Sequence, residues 1–104
     1  MKGTHSEITL KVHDGPDVSF VGKKLASVSS AEKGGHRAEL AIYRTDNGKH
    51  VCAKRMVSCV DNAHHDQIVA VCDSAGQIGD FFGYDQFAKM LYAIIDIDMA
   101  VHVD

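Results

Sequence analysis

The sequence predicts an α+β fold: an antiparallel sheet of about five to six strands, with one short and one longer helix packed on one face. Three observations predict it. Apolar residues alternate with period two in most of the segments before Asp73, and again from Asp96 to Asp104, which is the pattern of strands. Helical spacing occurs only between Ser74 and Ile95. Hairpins therefore come first and helices late, an order that segregates the layers instead of alternating βαβ units around a parallel sheet. A chain of 104 residues forms one domain, 1–104, with a single core.

His5 to His13 puts Ile8, Leu10 and Val12 on one side and Glu7, Thr9 and Lys11 on the other, a half-buried strand. Asp14-Gly15-Pro16-Asp17 is a turn by composition. Val18 to Ser29 is the second strand, with Val18 and Phe20 inward; Gly22 marks a bulge that returns Leu25 to the core face. Ser29 to His36 is a loop carrying Gly34-Gly35.

Arg37 to Val60 reads as the central hairpin. Pairing Ile42 with Val51 and Leu40 with Ala53 matches apolar faces and sets Glu39 opposite Lys54. That register needs a four-residue loop, Thr45 to Gly48, built on a type I turn with Gly48 left-handed. After the polar connection Asp61 to Asp66, the run from Gln67 to Asp73 is apolar enough for a central strand covered on both faces.

Ser74-x-x-Gln77 has the capping-box pattern and starts a helix in which Ile78, Phe81 and Phe82 form the apolar stripe. Gly76 and Gly79 weaken it by about 1 kcal/mol each relative to alanine. Gly83 stops it. Asp85 caps a second helix running to about Ile95, with Phe87, Met90, Leu91 and Ile94 as its buried face and Asp85–Lys89 as an i,i+4 pair. Asp96 to Asp104 is a closing strand: Ile97, Met99, Val101 and Val103 face inward, and Asp96, Asp98, His102 and Asp104 face out.

Composition bounds the function. Apolar content of 45% and charged content of 24% describe an ordinary globular domain. The N-terminus has no apolar signal-peptide core and no run is long enough to span a bilayer, so a cytoplasmic protein without membrane contact is expected. Three cysteines without a C-x-x-C pair fit a reducing compartment. The net charge of −3 conceals a split. Residues 1–59 hold ten Lys/Arg against six Asp/Glu, whereas residues 60–104 hold Lys89 against eight aspartates. Such asymmetry marks either an electrostatic partner surface or strands that mix evenly in one sheet.

Few residues suggest chemistry. His50, Cys52, His64, His65 and Cys72 can be drawn as a zinc site, but the ligand spacing is poor and Cys52 and Cys59 point to opposite faces of a regular strand. Buried inert cysteine is the commoner outcome. No G-x-S-x-G elbow, Walker A loop or dinucleotide fingerprint occurs. Asp96 and Asp98 share a strand face and, with Asp104 or His102, have the donors for a divalent cation; a solvated acidic edge explains them more simply. Gly76-Gln77-Ile78-Gly79 matches a GxxG phosphate clamp, yet Asp73 and Asp80 flank it and no cation is near. Lys23, Lys24, Arg44, Lys49, Lys54 and Arg55, with Tyr43 among them, are the candidates for a nucleic-acid face; the acidic total disfavours direct binding.

Two stretches, Ile42-Tyr43-Arg44-Thr45-Asp46-Asn47-Gly48-Lys49-His50-Val51 and Phe81-Phe82-Gly83 followed by Ala88-Lys89-x-Leu91-Tyr92, resemble small proteins of bacterial plasmids, integrative elements and phages. The resemblance implies a hairpin and a helix and carries no catalytic residue across. Its setting implies an inhibitor of host defence, of the anti-CRISPR kind.

The expected function is a non-catalytic protein-interaction module with no cofactor and no metal, acting through an acidic surface on a partner whose basic face binds nucleic acid. The residues expected to meet that partner are Asp80, Asp85, Asp96, Asp98 and Asp104, with Arg44 and Lys49 at the hairpin tip. Two alternatives compete: a Cys/His metal or enzymatic protein, and a homodimer paired through the closing strand.

Overall fold

The computed structural model describes residues 6–12, 15–31, 34–58, 65–95 and 97–99. Five antiparallel strands, β1 (Ser6–Leu10), β2 (Val18–Ser29), β3 (His36–Thr45), β4 (His50–Ser58) and β5 (His65–Cys72), form one sheet in chain order. Helices α1 (Ala75–Phe82) and α2 (Gln86–Ile94), of eight and nine residues, pack on one face. The architecture is the expected α+β layer structure. The predicted closing strand lies mostly outside the described residues; Ile97 to Met99 carry no strand pairing, and Ile97 and Met99 rest against the helix-side core.

The β3–β4 hairpin differs from expectation by one residue. Ile42 pairs with Cys52, Leu40 with Lys54, and Glu39 with Arg55. The Thr45 carbonyl accepts from Gly48 N–H (3.0 Å) and Thr45 N–H donates to the Lys49 carbonyl (2.9 Å). This is a three-residue loop, Asp46 to Gly48, with Gly48 left-handed at φ 85° as expected. The four-residue loop assumed one buried face. In fact both faces of the hairpin are covered, so two apolar sets are satisfied at once. Leu40, Ile42 and Cys52 face the helices, while Tyr43, Val51 and Ala53 face the other side.

That other side is covered by the start of the chain. The sheet curls, so that Leu10 of β1 joins Tyr43, Val51 and Ala53, with Ile8, Phe20 and Val69 around them. Gln67 Nε2 donates to the Lys11 carbonyl (2.6 Å), tying the end of β1 across to β5. Two features of β2 make the curl possible. Gly22 is buried against the Arg44–Thr45 backbone, where a Cβ would collide with the Arg44 carbonyl. The bulge falls three residues later, at Leu25, where the register shifts between Lys24 and Ala26. Gly22 is therefore the site of close backbone approach, not of the predicted bulge.

The predicted central strand, β5, is the last in the sheet order, with β4 as its neighbour. Cys72 and Val69 contribute to the two cores, but Ile68 (59%) and Val71 (54%) are exposed. A continuous apolar run does not distinguish a strand covered along its length from one covered only in part.

The helix ends follow the sequence signals closely. Ser74 Oγ accepts from Gln77 N–H (3.3 Å), and Gln77 Oε1 reaches back to Asp73 N–H (2.6 Å). Asp85 caps α2 by accepting from Ala88 N–H at 2.8 Å, which directs its carboxylate to the helix end instead of out to Lys89. Gly79 serves packing: the Tyr84 phenol lies where its Cβ would be. The buried face of α2 departs from prediction. Ala88, Leu91 and Ile95 are buried and Phe87 partly so, while Met90 (48%) and Ile94 (59%) point outward.

Candidate functional site

The helical layer has the strongest surface signal. Residues 73–99 hold Asp73, Asp80, Asp85, Asp96 and Asp98 against Lys89 alone. Among these aspartates the structure exposes Tyr84, Met90 and Ile94. Phe87, Met90 and Ile94 stand at i, i+3 and i+7, so they lie along one stripe of α2. Phe87 also lines a groove of about 350 Å³ between the helices and the far end of the sheet, with Met56, Ile68, Phe82, Asp66 and Asp85 among its walls. Apolar side chains clustered on a surface and rimmed by charge mark protein-interaction sites.

The predicted partner residues that the structure describes sit on several elements. Asp80 is exposed on α1, and Asp98 is exposed after α2. Asp85 is spent on capping α2 while lining the groove. Lys49 donates to Asp73 across 2.8 Å, so one basic residue of the hairpin tip pairs with one aspartate of the acidic half. This is the mixing of the two halves that the sequence left open; at 53% and 62% side-chain exposure the pair contributes at most about 1 kcal/mol. Arg44 is exposed beside Lys23, its register partner on β2. Asp96 and Asp104 lie outside the described residues.

The sequence reading placed Met90 and Ile94 on the buried face of α2, so it missed them as surface residues. The signal was the width of the apolar arc of α2: Phe87, Ala88, Met90, Leu91, Ile94 and Ile95 are more than one helix face can bury against a sheet.

The cysteine and histidine set is only partly assembled. Cys52 and Cys72 meet on the helix-side face with their sulfurs 3.7 Å apart. Both are free and buried. Burial, reinforced by Cys72, pushes the Cys52 thiol far above its ordinary value, which disfavours the thiolate that a metal or a nucleophilic reaction requires. His50 Nδ1 is buried without a hydrogen-bond partner among the described residues. Burial and the neighbouring Arg44 charge push its imidazole below the usual value, toward the neutral form. No group of three or more His, Cys, Asp or Glu side chains among the described residues is arranged to hold a metal ion. Cys59, His64 and the side chain of His65 lie outside them.

Aromatic side chains cluster where α1 meets α2. Tyr92 donates to the Gly83 carbonyl (2.6 Å) and stacks at an angle on Phe82 and Tyr84. Burial, with Tyr84 and other neighbours adding to it, pushes the Tyr92 phenol up to about 12, so it stays a neutral donor. Lys54 Nζ lies 4.9 Å from the Phe81 ring, a cation–π contact beside the groove.

Comparison with protein-family models, curated proteins and solved structures gives no match for this chain. No helix among the described residues is long and apolar enough to cross a membrane.

Proposed function

We propose that this chain is a non-catalytic protein-interaction module that docks a basic partner on its helical layer. The observation that carries the reading is the outward pair on α2, Met90 and Ile94, with the half-buried Phe87 beside them, set in a segment with five aspartates and one lysine. The apolar stripe supplies the desolvated anchor and the aspartates supply orientation and fast encounter with a positive surface. The specific form suggested by the resemblance is a mobile-element inhibitor that masks the basic face of a nucleic-acid-binding defence complex. Asp80 belongs to this surface in its own right, whereas Asp85 contributes mainly by holding α2 in place.

The test is capture from bacterial lysate on the immobilised chain, with elution by salt and by nucleic acid. The reading expects a basic nucleic-acid-binding protein, released as salt rises past the point where exposed charges are screened, and displaced by the nucleic acid it normally holds. Asp80→Lys with Asp98→Lys should abolish capture. Capture that survives both reversals and high salt contradicts the electrostatic part of the proposal.

A further inference from the structure

Cys52 on β4 and Cys72 at the end of β5 belong to the helix-side core, 0% and 2% exposed, with their sulfurs 3.7 Å apart. They are diagonal neighbours: Cys52 lies opposite Ala70, and Cys72 lies opposite His50. The right-handed twist of a sheet brings one diagonal pair together on each face. The sulfur contact identifies this pair as the close one here. A bond of about 2 Å needs the sulfurs to approach by about 1.7 Å more. Part of that comes from turning the thiols and part from a lean of β5. This strand is the last in the sheet order and has β4 as its only strand neighbour among the described residues.

Burial decides when two such sulfurs react. Ile78, Phe82 and Leu91 of the helices share their cluster, so a dissolved oxidant reaches them only when β5 and α1 lift from the core. This end of the core is lightly held. Ile68 and Val71 of β5 are more than half exposed, and α1 starts three residues after Cys72, is eight residues long and contains Gly76 and Gly79. In the opened chain the thiols regain ordinary ionisation. Once the core closes again, the same cover shields a bond between them from reducing thiols. Burial also pushes the Cys52 thiol up, so the reduced pair gains none of the thiolate stabilisation that makes some dithiols strong oxidants.

We propose that Cys52 and Cys72 form a reversible intramolecular disulfide, which locks β5 to β4 when the chain opens in the presence of a small-molecule disulfide oxidant. With glutathione disulfide, the first cysteine thiolate attacks one glutathione sulfur, giving a mixed disulfide and releasing one glutathione. The second cysteine thiolate attacks the protein sulfur of that mixed disulfide and releases the second glutathione. The two cysteines lose two electrons, glutathione disulfide gains them, and the two thiol protons end on the released glutathiones. The bond closes a loop of about 20 residues in the unfolded chain, which stabilises the fold. The pair lies beneath the helices and uses no residue of the outward stripe, so either proposal stands if the other fails.

The test exposes the full chain, reduced at the start, to glutathione buffers of rising disulfide fraction, with and without urea below the unfolding transition. Free thiols are then alkylated and counted by mass spectrometry. Cleavage after Lys54 and Arg55 and before Asp61 and Asp66 separates Cys52, Cys59 and Cys72, so the linked pair is read directly. The proposal expects a Cys52–Cys72 link that forms faster in urea, is reversed by dithiothreitol and raises the melting temperature by about 5–15 °C. Cys59→Ala should form the same link. Thiols that stay free at every disulfide fraction, glutathione adducts that never resolve into the link, a preferred bond to Cys59, or a linked chain that melts no higher than the reduced one would each overturn the proposal.

Discussion

Near the β3–β4 turn the sheet is covered on both faces: helices lie over Ile42, Cys52 and Cys72, and the curled β1–β2 arm lies over Tyr43, Val51 and Ala53. Further along the hairpin, around Glu39 and Arg55, both coverings thin, before Val57 and Ser58 are buried again at its end. Where they thin, the same strands leave a charged cup on one face and an apolar groove on the other. The two regions share strands and pairing, so the difference lies in what covers them. Side chains near the turn are fixed by apolar packing, whereas those around Glu39 are held by ion pairs and line concave surface.

The comparison should appear first in stability. Leu91 is fully buried, and Leu91→Ala should cost about 2–5 kcal/mol by denaturant unfolding. Ile68→Ala in the open groove should stay within about 0.5 kcal/mol, since Ile68 is already exposed. Equal losses at the two positions would break the distinction.

Next in size is the hinge of the curl. Gly22→Ala puts a methyl group into the Arg44 carbonyl, which is backbone and cannot swing aside, and should cost about 1–3 kcal/mol. Gly79→Ala meets the Tyr84 ring, which is half exposed and able to move, while gaining helix propensity. It should change the melting temperature little.

Glu39 tests the floor of the cup. Burial raises its carboxyl, but the hydrogen bonds from Arg55 and Arg37 outweigh that and hold it below the ordinary 4.5. A lowered carboxyl contributes stability that is complete above pH 4.5 and is lost as pH falls through the folded value. Glu39→Gln should therefore cost about 1 kcal/mol at neutral pH, and the gap from the parent should close in acid. A gap that persists unchanged below pH 3 would contradict the ion-pair account.

Local features were legible in the sequence because they depend on neighbouring residues. Ser74 and Asp85 announced their caps, Gly48 its left-handed turn, and the alternation of Val18 to Ser29 its strand. The hairpin register was not legible, because Ile42–Cys52 and Tyr43–Val51 are both apolar pairs and a one-residue shift still matches faces when both are buried. The outward turn of Met90 and Ile94 was hidden for a related reason: they are as apolar as the residues beside them, and only the position of the sheet decides which are covered. The cup needed the bulge at Leu25 and the pairing of Glu39 with Arg55, both products of tertiary register.

The central claim is that the outward stripe of α2 binds a partner and does not hold the fold. The most direct measurement is partner capture by the Met90→Asp, Ile94→Asp double variant, with its melting temperature recorded alongside. The account predicts capture abolished with a melting temperature close to that of the parent, since Met90 and Ile94 are about half exposed. Full capture by a variant that folds normally would contradict it.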